Sequence, residues 1–64
     1  MSALENFIVE YLKQHTAGVK PTEIIHKAMG ENSMWDQRDV SSALWSLQSA
    51  GKARSELGSI FLVE

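Results

Sequence analysis

The 64-residue chain has no cysteine and a single proline, Pro21. Without cysteine it can build neither a disulfide framework nor a thiolate metal site. It also lacks a strong charge of either sign, since six Lys and Arg against eight Asp and Glu leave a formal net charge of −2. That balance argues against a protein that grips nucleic acid by charge alone. No apolar run approaches the ~20 residues of a membrane span. The opening stretch MSALENFIVEYL carries Glu5 and Glu10 and no basic leader, so no signal peptide is expected and the cytoplasm is the default location. The four glycines form no phosphate-cradling loop, and no internal repeat or linker is visible.

Catalytic signatures are equally scarce. His15 and His26 lack metal-ligand spacing. No serine lies in a strand-turn-helix elbow beside a plausible histidine base. No carboxylate pair stands in a setting that would raise a pKa. Enzyme activity, a metal, a cofactor and a small-molecule substrate are therefore not expected, and a chain this small leaves little room for a pocket.

What is present reads as one domain over residues 1–64, close to the lower limit for a self-sufficient core, in which only ~60% of the unfolded surface is buried. Every apolar stripe must then face one centre. Ser2 followed by Glu5 is a capping-box spacing, and Leu4, Phe7, Ile8, Tyr11 and Leu12 continue it at helical intervals. This first helix is expected to run to about His15, with Gly18 as the breaker and Tyr11 in the core. Val19 stands alone as a residue or two of strand. Pro21 suits the first turn of a second helix, where its missing N–H costs nothing. Ile24, Ile25 and Ala28 face inward, and Gly30 is expected to close that helix.

Asp36 is a good N-cap for a third helix, Gln37 to Ala50, with Asp39 at N3 and Gly51 at C′. Trp35 at N′ and Val40 at N4 have the spacing of a hydrophobic staple. Val40, Ala43, Leu44, Leu47 and Ala50 form one stripe. Trp45 is off it, about 140° away from Val40 at ~100° per residue. Its neighbours on that outer side are Arg38, Ser41, Ser42 and Ser49, with Ser46 close by. After Gly51, KARSELGSIFLVE reads as two short strands turning around Leu57, Gly58 and Ser59, with Ile60 and Leu62, or Phe61 and Val63, facing inward.

The order helix, trace of strand, helix, helix, hairpin is that of an α+β, mostly helical, three-helix winged helix-turn-helix with a C-terminal two-stranded β-hairpin wing. The stretch QRDVSSALWSLQSAGKA followed by GSIFLV resembles known winged helix domains, and most of all the recognition helix and wing of Zα domains, the family that binds left-handed Z-DNA. The resemblance covers most of the chain in element order and is close in sequence from about Gln37 to Ala53. It implies an outward aromatic on helix 3 between two inward leucines, here Leu44, Trp45 and Leu47, and a wing aromatic packed against it, here Phe61. The chain departs from that pattern in three places. Ser41 stands where the family has a phosphate-binding asparagine, Gln37 where it has a lysine, and the wing has no proline pair.

The expected function is double-stranded DNA binding by a small transcriptional regulator, with helix 3 in the major groove. Gln37, Arg38, Ser41, Ser42, Trp45 and Ser49 would face bases and phosphates, and Lys52 and Arg54 the flanking backbone. Three cations give a salt slope of only about −3, so a homodimer or protein partner is expected to add avidity. Two alternatives stay open. One is a protein-interaction module that keeps the fold without DNA. The other is Z-form binding through Trp45 and Phe61. The plainer readings are a wing that folds over Trp45 and buries it against Phe61, and three ordinary solvated charges at Arg38, Lys52 and Arg54.

Overall fold

The computed structural model describes residues 1–63. Three helices come first, α1 (Ala3–Lys13), α2 (Pro21–Glu31) and α3 (Gln37–Ser49), and a hairpin of β1 (Ala53–Glu56) and β2 (Ser59–Leu62) closes the chain. The result is a small compact α+β domain whose layout is compatible with a winged helix.

Local chemistry sets the helix starts. Ser2 caps α1 through a reciprocal box: its hydroxyl accepts from the Glu5 N–H at 3.1 Å, and its own N–H donates to the Glu5 carboxylate at 3.0 Å. Pro21 occupies the first turn of α2, where its ring is pre-set for helical φ. α1 stops at Lys13 with Gln14 as its cap, about two residues short of the expected end. Gly30 does not close α2. The helix continues through Glu31, and Asn32 ends it in extended backbone while its N–H still bonds to the Ala28 carbonyl. A glycine stops a helix when it takes a left-handed φ just past the last turn, and Gly30 stays within the helix.

The hairpin is antiparallel, with Ala53 opposite Leu62, Arg54 opposite Phe61, Ser55 opposite Ile60 and Glu56 opposite Ser59. The turn is two residues long, since Ser59 already pairs as strand. Leu57 and Gly58 both have positive φ, 53° and 80°, the type I′ geometry that matches strand twist. Val19 forms an isolated antiparallel bridge with Ile60 on the other edge of β2, with N···O distances of 3.0 and 2.7 Å. That bridge ties the α1–α2 connection to the hairpin, which could not hold its shape alone.

The core lies where all five elements meet. Leu4, Ile8 and Leu12 come from α1, Ile24 and Ala28 from α2, and Val40, Ala43, Leu44 and Leu47 from α3; Val19, Ala53 and Ile60 complete it. Of the two possible inward faces of β2, the one carrying Ile60 is chosen, with Leu62 packed at its margin. Tyr11 is also marginal: its ring packs against the core, but its hydroxyl reaches out to the Glu23 carboxylate at 2.5 Å. No side-chain polar atom is left buried without a partner among the described residues, as a core this small requires.

Candidate nucleic-acid interface

α3 is fixed at both ends before its outer face is considered. At its start the Asp36 carboxylate accepts from the Asp39 N–H at 2.8 Å, and the Asp36 N–H donates to the Asp39 carboxylate at 3.2 Å. This is a second reciprocal box, with aspartate in both roles. At its end Gly51, at φ 75°, donates to the Gln48 carbonyl, and the Lys52 N–H donates to the Leu47 carbonyl at 2.9 Å. These two bonds are a Schellman closure. Between the caps, four inward residues are buried and set the rotation of the helix about its axis.

That rotation turns Trp45 outward, and 71% of its surface is exposed. Arg38, Ser41, Ser42 and Ser49 are exposed on the same arc, spanning about 100° to 200° from Val40 at 100° per residue. The arc holds no carboxylate. Asp39, the one acid within α3, falls on the other flank, about 100° from Val40 in the opposite sense. Gln37 is exposed at the edge, where it lines a shallow groove of about 270 Å³ with Ile25, His26 and Met29.

The wing does not complete this face as the family resemblance implies. Among the described residues the ring pairs are Phe7–Tyr11, Phe7–Trp35 and Tyr11–His15, so Phe61 makes no pair with Trp45. Its ring instead covers Gly18, where an added Cβ would lie 2.6 Å from Cζ. Only a glycine permits that approach. Arg54 stacks its guanidinium over the same ring, 4.6 Å from the centroid, and pairs with the Glu56 carboxylate. Arg54 and Phe61 line a cleft of about 350 Å³ with Leu12, Lys13 and Thr16 at the C-terminal end of α1. The plainer expectation for Trp45, burial under the wing against Phe61, is therefore also not met.

Of the three expected phosphate contacts, Arg54 is thus already engaged. Arg38 and Lys52 have no carboxylate within 4.0 Å among the described residues. Lys52 does lie close enough to Glu5 to help hold its carboxyl below the usual range, a shift set first by the hydrogen bond from the Ser2 N–H. Trp35 is half-buried, packed on the core with its ring 5.8 Å from that of Phe7.

Two features were not anticipated from the sequence. Phe7, Tyr11 and His15 form an aromatic series along α1, with ring centroids 6.1 and 4.1 Å apart, and His15 Nδ1 bonds to the Tyr11 carbonyl at 2.8 Å. The signal was their i, i+4, i+8 spacing. The second is Leu57, fully exposed and in a left-handed conformation at the hairpin tip.

Comparison of the chain with family models, curated proteins and solved structures returns no match. The fold and the face together define a small helix-plus-hairpin domain, compatible with a winged helix layout, with one exposed, carboxylate-free side of α3. No helix among the described residues is long and apolar enough to cross a membrane.

Proposed function

We propose that this domain is a small transcriptional regulator that binds double-stranded DNA by seating the outer face of α3 in the major groove. The observation that carries the reading is the exposed arc of Arg38, Ser41, Ser42, Trp45 and Ser49, which holds a cation, hydroxyls and no acid. A helix with side chains is about 10–12 Å across, and the major groove is ~12 Å wide. Small hydroxyl side chains let the helix axis come close and can donate to phosphate. Lys52 follows α3 directly and would reach the flanking backbone. Because Arg54 is held by Glu56 and Phe61, the electrostatic grip of one copy is weak, with a salt slope no steeper than about −2. A second copy or a partner protein would then supply avidity. The reading puts the protein in the cytoplasm beside its DNA.

A second reading is a protein-interaction module. The negative net charge favours it, as do Glu5 and Asp39 in the shallow depression that Ser42 and Ser46 share with Trp35. One titration separates the two. A Trp35→Phe variant leaves Trp45 as the sole indole, since the chain has two. Mixed-sequence duplex DNA added at low salt should quench its fluorescence, with affinity falling as salt rises. Lys52→Ala should flatten that salt slope by about 1. A flat fluorescence trace at low salt would reject DNA binding and leave the protein-partner reading.

A further inference from the structure

We infer that Trp45 is a specificity-determining residue that selects thymine, its indole packing on the C5-methyl group that thymine presents in the major groove. The inference rests on the DNA-binding reading above and names what that face recognises.

An exposed indole has one polar group to satisfy and a large apolar ring. Its Nε1–H is a single donor and it has no acceptor, so most of its surface is apolar. With 71% of that surface exposed, the ring is free to pack on an apolar counterpart. Phosphates offer none. In the major groove the base edges present hydrogen-bond donors and acceptors, and the one apolar group among them is the thymine methyl. Ser41, Ser42 and Ser49 around the ring are short, so the indole stands above the helix surface and reaches the groove floor first.

A second residue on the arc sets a register. Arg38 precedes Trp45 by seven residues and lies within about 20° of it around the axis at 100° per residue. Seven residues rise about 10.5 Å, close to three base-pair steps of ~3.4 Å each. Arg38 is exposed and unpaired among the described residues, and a free guanidinium pairs best with the O6 and N7 of guanine. The face therefore fits a guanine followed, about three base pairs on, by thymine. Stacking on an unpaired base is the weaker fit. Single-strand binders line several rings along a basic groove, whereas here the wing aromatic is turned away onto Gly18.

The test compares polymers that differ by one methyl group. Trp35→Phe protein is titrated at low salt with alternating A·T duplex, with the same duplex carrying uracil for thymine, and with alternating G·C duplex with and without 5-methylcytosine. The thymine duplex should bind about fourfold tighter than the uracil duplex for each methyl buried, the ratio that one buried methyl corresponds to. Methylated cytosine should tighten binding to the G·C duplex. Adding Trp45→Ala should erase both differences while leaving the salt slope unchanged, and its circular dichroism melt should match the parent. Equal affinity for thymine and uracil duplexes, with salt-sensitive binding retained, overturns the thymine contact alone. Tighter binding to single-stranded oligo-dT than to any duplex overturns it in favour of base stacking. Absence of salt-sensitive binding to all of these polymers rejects the DNA reading itself.

Discussion

The two tryptophans of this chain belong to different chemistries. Trp35 precedes the α3 cap and lies half-buried against Phe7, part of the seam between α1 and the start of α3. Trp45 stands in the middle of α3, and most of its surface meets solvent. The same side chain is structural at one position and a candidate contact at the other. The difference comes from geometry alone. Trp35, at the N′ position, has the ring of Phe7 on α1 to pack on, whereas Trp45, about 140° from Val40, has nothing behind it to pack on.

Substitution of both indoles tests that contrast most severely. Trp35→Ala should cost about 1–3 kcal/mol, below the range for a fully buried aromatic because the ring is only half-buried. Trp45→Ala should stay within about 0.5 kcal/mol. Urea unfolding of the two variants checks both, and equal losses would erase the distinction. The cap next to Trp35 can be removed separately. Asp36→Ala deletes the acceptor for the Asp39 N–H and should cost about 1 kcal/mol, with a lower melting temperature and a frayed start to α3 in amide exchange.

Leu57 sharpens the comparison from the other side, because it is exposed like Trp45 but strained as well. Its φ of 53° is unfavourable for a side chain with a Cβ, and asparagine tolerates that region better. Leu57→Asn should therefore raise stability by about 0.5–1 kcal/mol, read as a higher urea midpoint with an unchanged slope. A fall in midpoint would mean that the leucine makes a contact the exposed tip does not reveal.

The smallest effect concerns the aromatic seam itself. The Tyr11 hydroxyl donates to Glu23, which raises its pKa above the ordinary 10.0. A group with a raised folded pKa contributes its stability below the unfolded pKa and loses it as pH climbs through the folded value. The Tyr11–Glu23 contact should thus be intact at neutral pH and fail only in strong alkali. Tyr11 is the only tyrosine, so an absorbance titration reads it without overlap. Glu23→Ala should bring the midpoint back toward 10.0.

Much of α3 was legible from the chain. The Asp36 and Asp39 spacing, the stripe from Val40 to Leu47 and the Gly51 stop each involve residues within a turn or two of one another, and each is present as expected; Ala50, expected to end both the stripe and the helix, is instead the exposed cap after Ser49, because the closure on Gly51 turns the chain there. The outward turn of Trp45 followed from the same stripe. The reading failed at Gly30 because a glycine terminates a helix only if the following chain lets it adopt a positive φ, and Asn32 takes up the ending instead. It failed more consequentially at the wing. Phe61 was matched to Trp45 by resemblance to a family pattern, and Arg54 was counted as a free cation. The placement of Phe61 depends on how β2 meets the α1–α2 connection, through the Val19–Ile60 bridge, whereas Arg54 is held inside the hairpin, by Phe61 opposite it and by Glu56 two residues on.

The sequence by itself determined where the helices begin, which way α3 faces and where the hairpin turns, because caps, stripes and turn residues act over a few covalent neighbours. Only the tertiary structure decided that Phe61 closes over Gly18 and that Trp35 meets Phe7. Those contacts require chain segments far apart in sequence to arrive together, and no local spacing encodes which pair will meet.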